Sequence, residues 1–392
     1  MKRGIDNLEV RGQSVFVRVD ANVPLKDGEI RDDTRLRAVQ PTLDALRARG
    51  ARVILAAHLG RPRGHVDRTL SMAPVATYLS GLLGVDISMA PDSVGPDVSA
   101  LVHRLRDGEI LMLENLRFHP GEERNEPEFA ASLANLADCY IGDAFGAAHR
   151  AHASTVGVPG ILPSVAGPLM CAEIEALERA TRQPDRPYVA VLGGGKTSDK
   201  IGVLEQLASV VDVLMLGGGL ANTFLKNSGH HMGRSLVEPG QSDVVAAVRE
   251  IAKKSSCRLM IPTDVLVAAS PVDDASVAVV EVDAIPCDQM VLDIGPDTAA
   301  MYTQILGSAR TVIWNGPVGV YERAAFAKGT RAIVRALADS PGFVVAAGGD
   351  AAAAVQTAGL AHRMGHLSTG GGASLEFIEG RDLPGLVVLP DA

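Results

Sequence analysis

At 392 residues the chain exceeds the size of one ordinary hydrophobic core, which favours two domains or three. Its 47% hydrophobic and 21% charged residues are typical of a soluble globular enzyme and exclude disorder, while a net charge of −9 argues against general nucleic-acid binding. The four cysteines, at positions 139, 171, 257 and 287, show no C-x-x-C spacing, which favours free thiols over a disulfide framework or a zinc site.

The N-terminal segment MKRGIDNLEVRG has no apolar stretch of the kind found in secretory signal peptides. The uncharged run 151–172 is long enough to cross a bilayer, but its three prolines and three glycines predict loops and short elements instead. We therefore expect a soluble, cytoplasmic protein whose partners are small molecules, not nucleic acids or membranes.

Short, continuously apolar segments recur along the chain, with helix-like segments between them. Continuous hydrophobicity indicates strands buried on both faces, as in parallel sheets covered by helices. The pattern predicts an α/β protein of doubly wound parallel sheets. The predicted strands lie, in chain order, within SVFVRVD, RVILAAH, EILMLEN, CYIGDAF, YVAVLGG, VDVLMLGGG, RLMIPTD, MVLDIGP, TVIWNGP and FVVAAGGD.

In the first half of the chain these segments lead into residues that suit a small anion. Ligands in such sheets bind beyond the carboxyl ends of the strands, and arginine donates paired hydrogen bonds to phosphate or carboxylate. Each residue alone is more simply explained as a surface charge or a structural histidine, but their shared position at strand ends favours a binding site. The candidates are Asp20, Asn22, Arg35, His58, Arg61, Arg117 and Arg150, with His149 and His152 beside Arg150.

In the second half the strand ends carry glycine clusters at 193–195, 217–219, 348–349 and 370–372. Glycine lets backbone amides approach a phosphate closely, and a helix that starts there adds its dipole. A single cluster is better explained as a tight strand-to-helix turn, but four clusters with nearby charged side chains indicate a nucleotide site. The charged candidates are Lys196 and Lys200, one helical turn apart, Glu322 for ribose hydroxyls and Asp350 for magnesium.

The segment AVLGGGKTSDKIG looks like a P-loop but does not match one. The P-loop pattern G-x-x-x-x-G-K-[S/T] requires a glycine five residues before Gly195, and Ala190 stands there. The segment is therefore either a damaged P-loop or a different way of holding a phosphate.

Taken together, several long motifs resemble the phosphoglycerate kinase family over about residues 15–380. They are RVDANVPL, HLGRP, MLENLRFH, DAFGAAHRAHAS, LGGGKTSDKI, WNGPVGVYE and STGGGASLE. The resemblance implies reversible phosphoryl transfer between 1,3-bisphosphoglycerate and ADP, giving 3-phosphoglycerate and ATP, with Mg²⁺ as cofactor. It also implies a monomer of two Rossmann-like domains separated by a cleft that closes by hinge bending. These are a 3-phosphoglycerate-binding domain, 1–168, joined by a returning tail from about 375 to 392, and a nucleotide-binding domain, 169–374.

The resemblance also assigns roles to residues. Substrate binding falls to Asp20, Asn22, Arg35, His58, Arg61, Arg117 and Arg150. Stabilisation of the transferring phosphoryl group falls to Arg35, Lys200, Gly371 and Gly372. Nucleotide contacts fall to Gly193, Lys196, Lys200, Gly217, Asn315, Glu322, Gly348, Gly349, Asp350 and Ala351, with Asp350 on the metal.

The sequence departs from the family pattern in a few places. Ala351 replaces a serine or threonine after the aspartate, Ala347 replaces the leading glycine of that motif, and Ala147 stands where a hydroxyl residue is common. A lost hydroxyl at 351 predicts weaker nucleotide positioning without loss of activity.

Three alternatives remain open from the sequence. They are a nicotinamide-dependent dehydrogenase, a kinase for another phosphorylated acid, and a non-catalytic or weakened relative that binds nucleotides or anions. The dehydrogenase lacks its G-x-G-x-x-G signature, since GGGLANTF has no third glycine at the required place.

Overall fold

The computed structural model describes residues 2–272 and 276–392, and the chain divides into two compact units. The N-terminal unit comprises Met1–Glu175 together with Asp382–Ala392, and the C-terminal unit comprises Ala176–Arg381. The first division falls within the helix Pro168–Thr181, so one continuous helix leads the chain from the first unit into the second.

The N-terminal unit is built on a parallel sheet. Its strands are β1 (Ser14–Val19), β2 (Leu25–Lys26), β3 (Glu29–Ile30), β4 (Arg52–Ala56), β5 (Ile87–Met89), β6 (Ile110–Met112), β7 (Cys139–Asp143) and β8 (Ser164–Ala166). The sheet runs in the order β5-β6-β4-β1-β7-β8, and β2 and β3 form a separate hairpin. Every residue of the central strand β1 is buried, which explains its continuous hydrophobicity and makes Arg18, its penultimate residue, unusual.

Helices pack their apolar faces against this sheet. They are α1 (Thr34–Ala48), α2 (Ala73–Leu83), α3 (Pro96–Arg104), α4 (Pro120–Glu123), α5 (Pro127–Ala134) and α6 (Pro168–Thr181). In α1 the buried residues Leu36, Val39, Leu43 and Leu46 recur every three or four positions and therefore share one helical face. That face joins β1 and β4 in a single apolar core.

A buried carboxylate connects β7 to the first turn of α6. Asp143, the last residue of β7, accepts a hydrogen bond from the Met170 amide at 2.9 Å and another from the Thr42 hydroxyl. Burial raises the pKa of Asp143 to about 6, because the charged form loses its hydration. The start of α6 is therefore held to the carboxyl end of the sheet.

The last segment of the chain completes the N-terminal unit. Its short helix α14 (Pro384–Val387) lies against the loop after β7, where the Gly385 amide donates to the Ala148 carbonyl at 2.8 Å. The ammonium group of Lys2 pairs with the carboxylate of Asp391 at 2.9 Å. Segments from the two ends of the sequence thus meet in one unit.

The C-terminal unit contains two sheets. Its strands are β9 (Tyr188–Leu192), β10 (Val213–Leu216), β11 (Arg258–Met260), β12 (Asp264–Ala268), β13 (Ala278–Glu281), β14 (Met290–Ile294), β15 (Thr311–Asn315), β16 (Phe343–Ala347) and β17 (His366–Ser368). The parallel sheet has the order β11-β10-β9-β15-β16-β17, and β12 lies between β13 and β14 in an antiparallel sheet.

Helices of the C-terminal unit follow the strand ends. They are α7 (Ile201–Val210), α8 (Gly218–Asn227), α9 (Ser242–Ser255), α10 (Pro296–Leu306), α11 (Lys328–Asp339), α12 (Gly349–Thr357) and α13 (Gly372–Ile378). The core includes fully buried Trp314 of β15, whose indole N–H donates to the Gly316 carbonyl at 2.8 Å. Strand, glycine turn and helix therefore alternate as the sequence predicts.

Each predicted apolar segment contains a strand, and the α/β class is confirmed. The segment MVLDIGP differs in direction, because β14 pairs antiparallel with β12. Continuous hydrophobicity reports burial on both faces and carries no information on strand direction.

The uncharged run 151–172 forms the short turn Ala153–Gly157, β8 and the start of α6. Among residues 2–272 and 276–392 no helix is long and apolar enough to cross a membrane.

Candidate active site

The end of β1 carries a small polar cluster in the N-terminal unit. Asp20 is buried, and its carboxylate accepts a hydrogen bond from the Asn22 amide at 3.1 Å. Arg35, in the first turn of α1, donates to the Asn22 carbonyl at 2.7 Å and lies 3.5 Å from the Asp20 carboxylate. The structure thus brings together three of the predicted substrate residues.

Gly60 connects this cluster to the loops that follow β4 and β6. Its amide donates to the Asn22 side chain at 2.9 Å, and its carbonyl accepts from Arg117 at 2.9 Å. Arg117 is 5% exposed and lies 3.4 Å from the Glu123 carboxylate, and its buried Nε has no hydrogen bond to a described residue. Burial lowers the pKa of Arg117, but an arginine stays cationic under these conditions.

Two further predicted arginines are exposed. The side chain of Arg61 makes no hydrogen bond or ion pair with any described residue, and that of Arg150 has a single contact, from its Nε to the ring of His149 at 3.2 Å. Their guanidinium groups are therefore largely available to an incoming anion.

Histidines 58 and 152 in this region are neutral, so the arginines supply its positive charge. Burial and the nearby guanidinium groups of Arg18 and Arg117 hold the pKa of His58 well below its usual range. Burial lowers the pKa of His152 to about 3, and the same two guanidinium groups act in that direction. His58 is therefore available as a neutral hydrogen-bonding group at the predicted binding site.

In the C-terminal unit the glycine turns after β9 and β15 pack backbone against backbone. The Gly193 amide donates to the Asn315 carbonyl and the Gly194 amide to the Pro317 carbonyl, both at 2.9 Å. A side chain at Gly193 would overlap the Pro317 carbonyl oxygen. Glycine is required here by this close approach.

Lys200 points back into these turns. Its ammonium group donates to the Gly193 carbonyl at 2.6 Å and to the Asn315 carbonyl at 3.3 Å. Burial lowers the pKa of Lys200 to about 8, although the negative charge of Asp350 opposes the shift. Asn315 donates from its side chain to the Ala347 carbonyl at 2.7 Å, while its buried Oδ1 has no hydrogen-bond partner among the described residues.

Glu238 holds the remainder of this loop, a role that the sequence did not reveal. Its carboxylate accepts from the amides of Thr197 at 2.6 Å and Ser198 at 2.9 Å, and the Ser198 hydrogen bonds lower its pKa. The Thr197 hydroxyl is buried without a hydrogen bond to a described residue, whereas Lys196 is exposed. A carboxylate therefore stabilises the turn that carries the P-loop-like residues.

A cavity of about 440 Å³ opens beside these glycine turns. Glycines 194, 195, 218 and 219 form one side, and apolar residues of β12, β14 and the turn 317–320 form the other. Glu322 and Asp350 contribute the predicted acidic groups to its lining. This size and composition match sites for drug-sized and cofactor-sized ligands.

The apolar wall of the cavity includes residues that sequence reasoning missed. Leu236, Pro262, Val265 and Leu292 line it, and nothing in the sequence distinguishes them from core residues. The wall also contains Asp293, whose carboxylate accepts from the amides at 294 and 329, and burial raises its pKa to about 7.

The remaining predicted nucleotide residues surround the starts of α8, α12 and α13. Gly217 precedes α8, and Gly348, with φ +98°, precedes α12, where Asn315 lies too close for a side chain. Gly349 and Asp350 open α12, and the Ala351 side chain is fully buried in the apolar core, so the nucleotide contact expected at 351 stays a prediction for its backbone amide. Gly371 precedes α13, which begins at Gly372.

Comparisons with known proteins agree over nearly the whole chain. The family model described as phosphoglycerate kinase matches residues 5–381. The phosphoglycerate kinase of Thermomicrobium roseum is 54% identical over 99% of both chains, and that of Moorella thermoacetica is 52% identical over 100% of this chain and 99% of its own.

Solved structures give the same result. The phosphoglycerate kinase from Coxiella burnetii has a TM-score of 0.88 at 40% identity, and that from Pyrococcus horikoshii a TM-score of 0.86 at 34% identity. In both cases the likeness covers 99% of this chain and 98% of the other.

Proposed function

The chain belongs to the phosphoglycerate kinase family, and we propose which of its own residues perform each part of that family's reaction. It catalyses reversible phosphoryl transfer between 1,3-bisphosphoglycerate and ADP, which gives 3-phosphoglycerate and ATP. The alternative of a non-catalytic relative finds no support in the comparisons. Separate groups of residues bind the three-carbon acid, bind the nucleotide and stabilise the transferring phosphoryl group.

The polar cluster of the N-terminal unit binds the three-carbon acid. The observation that carries this assignment is the network in which Gly60 links Asn22 to Arg117 while Arg35 bonds Asn22. This network fixes two guanidinium groups, and the exposed Arg61 and Arg150 complete a set suited to phosphate and carboxylate. Asp20 and Asn22 orient the hydroxyl, and neutral His58 adds a hydrogen bond.

The cavity of the C-terminal unit binds ADP or ATP. Its apolar wall suits the base, and Glu322 suits the ribose hydroxyls. The phosphates bind along the backbone of glycines 193, 217, 348 and 349, beside Lys196 and Asn315. Among these glycines, Gly349 faces open space, with no atom within 4 Å of a side chain placed there.

Asp350 is the residue that fits magnesium. Mg²⁺ in kinases is held by one or two carboxylates together with substrate phosphates, and Asp350 supplies an exposed carboxylate in the first turn of α12. The bound ion would neutralise charge on the nucleotide phosphates.

Transfer itself needs in-line positioning and charge stabilisation more than covalent help. Lys200 exchanges its two carbonyl partners for phosphate oxygens, and the negative charge that it meets there raises its pKa again. Arg35 and the amides of Gly371 and Gly372 stabilise the same transferring group. The cytoplasmic location and the monomeric state stay predictions.

Steady-state kinetics test these assignments. ADP formation is followed in a coupled assay with Mg²⁺, ATP and 3-phosphoglycerate, and turnover should depend on all three. Arg35→Ala should reduce kcat by orders of magnitude while the dissociation constant of MgATP changes less than twofold, about 0.4 kcal/mol. A parallel loss of nucleotide affinity would contradict the role of Arg35.

A further inference from the structure

Arg18 is a buried cation to which the proposed mechanism gives no role. It is the penultimate residue of β1 and is only 1% exposed. Its guanidinium group donates from Nε to the Ser154 hydroxyl at 2.8 Å, from Nη1 to the Val19 carbonyl, and from Nη2 to Nδ1 of His58 at 3.0 Å.

The last of these contacts has a chemical consequence. A guanidinium group has donors only and stays protonated, so Nδ1 of His58 must be the acceptor. In a neutral imidazole the proton is then on Nε2, which makes no hydrogen bond with another described residue. We propose that Arg18 is a positioning residue that fixes His58 in the Nε2–H tautomer, so that this ring presents an N–H donor to the bound three-carbon acid.

The arginine is itself anchored by a buried carboxylate. Glu122, which is 0% exposed, accepts from the Ser154 hydroxyl at 2.6 Å and from the Ser154 amide at 3.0 Å. The same hydroxyl accepts from Arg18, so a continuous chain runs from Glu122 through Ser154 and Arg18 to His58. The opposite charges of Glu122 and Arg18 offset the cost of burying each one.

The charges around His58 act in the same direction. Burial disfavours protonation of the ring, and the guanidinium groups of Arg18 from β1, Arg117 from the turn after β6 and Arg35 from α1 act in the same direction. The other titratable group near the ring, His152, is itself neutral. The opposite tautomer would turn a lone pair towards the anion and leave Arg18 without its acceptor. The structure therefore selects one of three possible states of the imidazole.

This inference rests on the proposed function in one respect, namely that His58 contacts the substrate. The first experiment does not share that dependence. Nitrogen-15 NMR of the full-length, histidine-labelled wild-type protein distinguishes protonated from unprotonated ring nitrogens directly. We expect His58 to show an unprotonated Nδ1 and a protonated Nε2 from about pH 6 to pH 8. A protonated Nδ1, or an average of both tautomers, would overturn the inference whatever the kinetics show.

The second experiment asks whether the donor matters to the substrate. The amide nitrogen of glutamine reaches approximately the place of Nε2, whereas that of asparagine reaches the place of Nδ1. His58→Gln should keep the KM for 3-phosphoglycerate within about threefold of wild type, while His58→Asn and His58→Ala should raise it about tenfold or more. Equal effects of the glutamine and asparagine variants would refute the donor role.

If the proposed contact between His58 and the substrate is wrong, the two experiments give a different combination of results. If His58→Ala leaves the KM for 3-phosphoglycerate unchanged while NMR shows the expected tautomer, then His58 does not contact the substrate but Arg18 still fixes the ring. Arg18→Lys has one nitrogen where the guanidinium group uses two to reach Ser154 and His58, and it should raise this KM about fivefold to tenfold without changing the KM for ATP. If it lowers the melting temperature but leaves the His58 spectrum and this KM unchanged, Arg18 is only structural.

Discussion

Replacing Lys200 by methionine should separate catalysis from stability. The pKa of Lys200 is lowered from 10.5 to about 8, mainly by burial, so its charged form is destabilised in the folded protein. At about 1.4 kcal/mol per unit, keeping this charge at neutral pH costs the folded protein about 3 kcal/mol. Methionine also loses the two carbonyl hydrogen bonds of Lys200, which are worth about 2 kcal/mol. Methionine has a similar volume and no charge, so the net expectation is stabilisation by about 1 kcal/mol.

The difference in stability between Lys200→Met and the wild-type protein depends on pH. Because the folded pKa is below the unfolded one, the wild-type protein gains stability as pH rises from about 8 towards 10.5, whereas Lys200→Met does not. The advantage of the variant should therefore shrink over that interval. Urea denaturation at about pH 7 and about pH 9.5 measures this difference in stability. The control is Lys196→Met, which changes an exposed lysine in the same loop, and its free energy of unfolding should stay within about 0.5 kcal/mol of wild type.

The same variant should lose at least about three orders of magnitude in kcat, because it removes a cation from the transferring phosphoryl group. Loss of more than about 2 kcal/mol of stability at pH 7 would refute the reasoning, since it would make Lys200 a structural link between the two turns. Retained turnover would refute the catalytic assignment independently.

Three further outcomes are expected. Gly193→Ala should destabilise the protein by at least about 3 kcal/mol in thermal denaturation, because the new side chain would overlap a main-chain carbonyl. Gly195→Ala is the control, since the atom nearest to a side chain there is 3.5 Å away. Equal destabilisation by the two variants would contradict the prediction. Arg61→Ala should raise the KM for 3-phosphoglycerate about tenfold with an unchanged melting temperature. The control variant Arg68→Ala, which also changes an exposed arginine, should leave this KM unchanged. Similar KM values for the two variants would refute the role of Arg61. Burial raises the pKa of Asp293 to about 7, so the free-energy cost of its charge is present above that pH and is relieved as pH falls towards 4. In that interval the wild-type protein should gain up to about 1.4 kcal/mol of stability per pH unit relative to Asp293→Asn. Urea midpoints of the two proteins that change in parallel with pH would contradict this.

The sequence predicts the sheet class and the strand-end residues because both depend on local patterns. A buried strand followed by Asp20 or by a glycine cluster is visible in a window of ten residues. The short strands β5, β8 and β17 are not, since three residues show no periodicity. Strand β12 is missed for a related reason: three residues separate it from β11, and the two look like one segment.

Contacts between distant parts of the chain account for what the sequence leaves out. Arg18 and Ser154 are 136 positions apart, and no local pattern pairs them. Glu238 binds a loop 40 positions before it, and it looks like any surface glutamate in the sequence. Sequence patterns do not reveal the apolar wall of the cavity, because the same apolar residue types line a base-binding wall and a hydrophobic core.

The route of the chain also determines the order in which its parts can be finished during synthesis. The C-terminal unit is one continuous segment, Ala176–Arg381, whereas the N-terminal unit needs Asp382–Ala392 as well. Domains generally fold as units while the ribosome elongates the chain, usually from the N-terminus onwards. Here the unit that is translated first is completed only by residues 382–392, so the second unit can mature before it. Until α14 is in place, the nascent first unit lacks the contacts that bury Leu386 and Leu389 in the completed unit.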